Sequence, residues 1–170
     1  RLYCNRRSMG QLTANQKAVL MNELTGLKRF STSLTGDHHD ADDLLQLTVE
    51  RVLERGMPED AHAGKWAYRV CRNLWLDELR AREVRSRFAK TEATGNGDLG
   101  VSDAGGLERL EFERVDQALN TLPEEQKTVL LLVAVEGRSY AEVAELLDIP
   151  IGTVMSRVAR ARRSLAEKTA

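Results

Sequence analysis

Sixteen consecutive residues, Thr91 to Gly106, set the strongest limit on what this 170-residue chain can fold into. They hold five glycines and three acids, with no basic residue among them. Glycine weakens helices and the stretch offers little to bury, so it reads as an acidic linker and a domain boundary. Fully extended it would reach roughly 55 Å, leaving the halves it joins able to sit well apart. Residues 13–90 and 107–170 are therefore expected to form two small domains. A hydrophobic content of 42% suffices for a core in each. Only three prolines, 5% aromatic residues and an abundance of Leu, Ala, Val, Glu and Arg predict helices rather than sheets.

In the first half, Leu20, Leu24, Leu27, Phe30 and Leu34 recur at the three-and-four spacing of one helix face, predicting a helix over 13–34 that stops at Gly36. Asp40 is the expected N-cap of a second helix, with Asp43 favouring its positive end. That helix should run to Arg55 and turn Leu45, Val49, Val52 and Leu53 inward. Glycine and proline mark a loop over 56–64. A third helix is expected over 65–87, with Trp66, Ala67, Val70, Cys71 and Leu74 on one face. Trp75, Leu76 and Leu79 lie on other sides, so more than one neighbour is implied. Lys65 to Lys90 carries eight basic residues against three acids, a net of +5 hidden within a whole-chain charge of -1.

The second half is expected to open with a helix over 107–122 that buries Val115, Ala118, Leu119 and Leu122. Pro123 suits the first turn of the next helix, with Glu124 and Glu125 at its positive end and Val129, Leu130, Leu132 and Val133 inside. Ser139 and Glu142 form a capping box for a helix over Tyr140 to Leu147. Asp148-Ile149-Pro150 then turns the chain into a last helix with the apolar stripe Ile151, Val154, Val158, Ala161 and Leu165. Its opposite face shows Gly152, Thr153, Ser156, Arg160 and Arg163, flanked by Arg157 and Arg162. Two short helices joined by a tight turn, the second rich in arginine, make a helix-turn-helix. Small residues allow close approach to a major groove, and guanidinium groups reach phosphates or guanine edges.

The stretch LPEEQKTVLLLVAVEGRSYAEVAELLDIPIGTVMSRVARARRSL resembles region 4 of bacterial RNA polymerase sigma factors. DADDLLQLTVERVLERG and WAYRVCRNLWLDELRARE resemble region 2. Both in this order, with a short linker and no further regions, resemble the extracytoplasmic-function class. The resemblance implies an all-α fold, a non-enzymatic role without cofactor, and core RNA polymerase and promoter DNA as partners. Asp42, Asp43, Gln46 and Glu50 are then expected to bind the polymerase. The loop after the second helix would capture a flipped base of the minus-ten element. Arg69, Arg72 and Arg80 would hold the melted strand, a task of charge along the phosphates, and Asn73 would contact that strand or serve the fold. Thr153, Ser156, Arg157, Arg160 and Arg163 would read the minus-thirty-five duplex. Asp148 stands where glycine is common, and Met155 where arginine is common. The resemblance also implies an anti-sigma factor, and the two widely separated cysteines fit a reducing cytoplasm.

Other readings are weaker on the residues themselves. His38, His39, Asp37, Asp40 and Asp42 cluster across a turn without fixed helical pairing, and no phosphate loop or nucleophile elbow is present. Cys4 and Cys71 form no CxxC pair and read as reduced thiols. No apolar run is long enough for a membrane span, and RLYCNRRSMG lacks the apolar core of a signal peptide. A two-domain repressor would not need the basic third helix, and a sigma-like decoy would not need the arginine face of the last one.

Overall fold

The computed structural model describes residues 11–92 and 107–170, with side chains at 11–89 and 113–170. Seven helices make up the described residues: α1 (Ala14–Thr35), α2 (His38–Arg55), α3 (Ala63–Glu92), α4 (Leu107–Asn120), α5 (Glu124–Ala134), α6 (Tyr140–Leu147) and α7 (Ile151–Thr169). Apart from the first two residues, which extend α3, the expected linker lies outside the described residues.

Local chemistry explains most boundaries. Thr13 caps α1 by accepting from the Gln16 amide while Gln16 accepts from the Thr13 amide, and Gly36 ends the helix at φ 71°, a left-handed conformation that suits glycine. The Gln16 side-chain amide also donates to the Pro58 carbonyl at 3.0 Å, tying the α2–α3 loop to the start of α1. The cap of α2 is Asp37 rather than Asp40: its carboxylate accepts from the Asp40 amide at 2.9 Å, and that bond holds its carboxyl below the usual range. The helix thus starts two residues before the expected cap. Its buried residues are Ala41, Leu44, Thr48 and Val52, and Leu53 is 51% exposed instead of inward.

In α3 the buried side is set by Ala67, Tyr68, Cys71 and Trp75, whereas Trp66, Val70 and Leu74 are only half-buried. The helix turns its inner face between two neighbours, α1 and α2, so the buried positions do not follow a single stripe. Trp75 is core, as a tryptophan among leucines usually is, and the Arg82 guanidinium lies 5.4 Å above its ring. Burial pushes the Cys71 thiol up, with Ser31 Oγ 3.4 Å away, which keeps it inert. Cys4 lies outside the described residues.

In the second half, Pro123 occupies the N-cap position rather than the first turn, and Val115 is 45% exposed. The Ser139–Glu142 capping box forms, with Asp148 closing α6 at φ 55°. Val154, Val158 and Ala161 are buried and Leu165 is half-buried, but Ile151 is 49% exposed. Ile151 is the first residue of α7.

The halves pack together. Leu27, Phe30 and Tyr68 belong to one continuous apolar cluster with Val129, Leu132, Val143 and Val158. The α1–α5 and α3–α6 pairs are the principal junctions. Within the first half, glycine at position 26 of α1 lets the Tyr68 hydroxyl of α3 come close, and an added Cβ there would also stand 3.4 Å from a Glu136 carboxylate oxygen of the second half.

Candidate nucleic-acid interface

Each half supplies a cation to the C-terminal carbonyls of a helix in the other. Arg69 of α3 donates from Nε to the Leu146 carbonyl at 2.6 Å and from Nη2 to the Glu145 carbonyl, at the end of α6. Lys127 of α5, buried, donates from Nζ to the Leu34 carbonyl at 3.1 Å, at the end of α1, and to Asn120 Oδ1 at 3.0 Å. Last-turn carbonyls lack helical partners and carry the negative end of the helix dipole, so a cation there meets both hydrogen-bonding and electrostatic demand.

Ion pairs surround these contacts. Lys65 pairs with Glu145 and holds that carboxyl below its usual range. Arg138 pairs with Glu23 at 3.2 Å and lies 5.3 Å over the Tyr68 ring. The Tyr68 hydroxyl donates to Glu136 at 3.4 Å. Burial first, and the Glu136 charge in addition, push this phenol up to about 12, against an opposing hydrogen bond with Arg138.

The expected strand-binding residues on α3 separate by what they face. Arg69 is turned to α6 as described. Arg72 is half-buried and senses both Glu125 and Arg157, burial lowering its pKa. Asn73 is exposed, and Arg80 is exposed and pairs with Asp77 at 3.1 Å. On α7, Ser156, Arg160 and Arg163 are exposed and Thr153 is half-buried. Arg157 has an 18% exposed side chain and pairs with Glu125 at 2.6 Å. Arg157, expected on the upstream duplex, thus pairs with Glu125, whose charge also acts on Arg72, expected on the melted strand.

Asp42, Asp43, Gln46 and Glu50 are all exposed along α2. Gln46 donates to Glu50 at 3.0 Å, and Lys28 pairs with Asp42 at 3.6 Å. Of the histidine-aspartate cluster, Asp37 is the helix cap and Asp40 pairs with Arg82 at 2.9 Å. Sequence reasoning missed Lys127, Tyr68, Glu125 and Glu136. Lys127 carried a signal, a charge directly before the apolar run TVLLLV, and Tyr68 stands at helical spacing from Cys71 and Trp75, whereas periodicity marked no such role for Glu125 or Glu136.

Both halves match known protein families. Residues 20–85 match Sigma-70 region 2 and residues 112–165 match Sigma-70 region 4. The chain is 32% identical to the ECF RNA polymerase sigma factor EcfG of Rhodopseudomonas palustris, over 91% of this chain and 85% of that one. It is 32% identical to SigL of Mycobacterium tuberculosis, over 89% and 87%. Among solved structures it is similar to the sigma factor RpoE of Bartonella quintana in complex with the anti-sigma factor NepR, with a TM-score of 0.68, 26% identity and coverage of 92% and 97%. CnrH in complex with the cytosolic domain of CnrY shares the fold at a TM-score of 0.62. None of the described helices is long and apolar enough to cross a membrane. With both regions in order and full-length relatives of one kind, the chain belongs to the ECF RNA polymerase sigma factors, non-enzymatic proteins that direct promoter recognition for transcription initiation.

Proposed function

We propose that this sigma factor is a bipartite promoter reader that must open to act. Residues 13–90 form the half that traps the melted minus-ten strand, through Arg69, Arg72, Asn73 and Arg80. Residues 107–170 form the half that reads the minus-thirty-five duplex, through Thr153, Ser156, Arg157, Arg160 and Arg163. Residues 91–106 link them in the cytoplasm. The exposed α2 residues Asp42, Asp43, Gln46 and Glu50 hold the polymerase.

The observation that carries the opening step is the use of Arg69 as a cap for α6. A guanidinium engaged with two carbonyls cannot at the same time follow a phosphate backbone. Arg157 is likewise paired with Glu125, whose charge also acts on the half-buried Arg72. Polymerase binding along α2 would leave this junction free to part. Closure of the halves is also the arrangement an anti-sigma factor could stabilise, and the similar RpoE is a complex with such a factor.

Dyes placed on exposed positions of α2 and α7 test the reading. Energy transfer should be high in the free chain and fall when core polymerase and promoter DNA are added. Specific transcription with core enzyme should accompany that fall. Transcription without any change in transfer would refute the opening step, and failure to bind core would refute the assigned polymerase surface.

A further inference from the structure

On α7 an exposed apolar row runs beside the arginines. Ile151, Met155 and Ala159 are spaced four residues apart and all are exposed, the first two at 49% and 52%. They lie within the first turns of the second helix of the helix-turn-helix, the part that meets base edges when such a helix enters a major groove. Exposed Arg160, Arg162 and Arg163 follow them toward the C-terminus and give the surrounding surface the charge that suits phosphate.

Gly152 adds a separate observation. A Cβ built there meets no atom within 4 Å, and its backbone is helical, so neither internal packing nor a left-handed conformation calls for glycine. Glycine is a poor helix former, and here it leaves the helix backbone open to close approach from outside the chain. The apolar feature that a major groove offers is the C5-methyl group of thymine. A flexible methionine adapts to such a group without needing a fixed angle.

We propose that Met155, supported by Ile151, reads a thymine methyl group in the upstream promoter element, with Gly152 admitting the groove edge. The inference depends on the upstream half being the duplex reader, as proposed above. It makes Met155 a specificity-determining residue at the middle of an apolar row flanked by arginines.

The test uses the full chain with core polymerase. Promoters are selected from a random duplex library, and each thymine of the recovered upstream element is then replaced in turn by deoxyuridine, which removes only the methyl group. Loss of one buried methyl contact should weaken binding about fourfold at one or two positions. Met155→Ala should lose that sensitivity, and Met155→Arg should select G·C where the wild type selects A·T. Gly152→Ala should fold normally and bind the element less well. Equal deoxyuridine sensitivity in wild type and Met155→Ala, or none in either, would overturn the inference while leaving duplex reading intact. So would a Met155→Ala chain that selects and binds as wild type but no longer binds a protein partner, which would assign the row to that partner. Recovery of no shared upstream sequence would overturn the duplex-reading assignment and the inference with it.

Discussion

The two basic helices, α3 and α7, spend their arginines differently. In α3, Arg69 and Arg72 point into the junction with the second half, where one caps α6 and the other sits near Glu125. In α7, Arg160 and Arg163 are exposed, and only Arg157 is drawn inward. Net charge alone does not make a ready nucleic-acid surface; what matters is whether each guanidinium already has acceptors. By that measure the upstream reader stands largely open in the closed chain, and the strand-binding surface is half occupied.

The largest break in this comparison should come from Tyr68, whose ring is fully buried 5.3 Å from that of Phe30 beneath the junction. Tyr68→Ala should cost about 3–5 kcal/mol in denaturant unfolding. Tyr68→Phe, which removes only the hydroxyl facing Glu136, should cost about 1 kcal/mol. Burial raises this phenol from 10.0 to about 12, so the folded chain holds a proton that the unfolded chain releases first. The stabilisation is complete below pH 10 and is lost as the pH rises through 12. A wild-type alkaline limb equal to that of Tyr68→Phe would show that Tyr68 is not the group responsible.

Arg69→Ala sharpens the comparison more selectively. Because the guanidinium is partly exposed, its two carbonyl contacts should contribute only about 1 kcal/mol. That is enough to shift a closed population toward open when the two halves are held by a chain linker. Energy transfer between α2 and α7 should fall in the free chain, while binding of the minus-ten strand weakens. Retained transfer would mean that the apolar cluster, which includes Leu27 and Leu132, keeps the halves closed without this cap.

Arg160 tests the open side. Arg160→Ala should leave closure untouched, weaken binding of upstream duplex, and lower the slope of binding against salt by about 0.9 if the contact is to phosphate. An unchanged slope with altered sequence preference would place Arg160 on a base edge, and no change in either would leave it solvated.

Helix placement, caps and the helix-turn-helix were legible from sequence wherever a local signal decided them. Gly36, the Ser139–Glu142 box and Asp148 act within a turn or two of chain. Errors arose where apolar spacing did not reveal which positions a neighbouring helix covers. Leu53 and Ile151 have the right spacing for burial but lie in the last turn of α2 and the first turn of α7, and each is about half exposed. Asp37 outcompeted Asp40 as a cap, a difference of three residues that composition could not rank. The junction was least legible, since residues as far apart as Leu34 and Lys127 meet only after both halves have folded. Its donors are ordinary lysines and arginines until their acceptors are known.

Asp148 offers the smallest and most local test. It is the one non-glycine residue at positive φ among the described residues, and at φ 55° and ψ 51° it closes α6 with its amide directed to the Ala144 and Glu145 carbonyls. Left-handed backbone costs most L residues roughly 1–2 kcal/mol, and aspartate less than most. Glycine would remove that strain and, having no side chain to fix, would also gain freedom in the unfolded chain. The two effects oppose each other, so Asp148→Gly should raise unfolding stability by a few tenths of a kcal/mol, up to about 1. Because Arg69 caps the same end of α6, the gain should persist in Arg69→Ala if the strain is purely backbone. If it disappears there, the Asp148 turn and the Arg69 cap act as one unit, and the junction reaches into the turn of the helix-turn-helix.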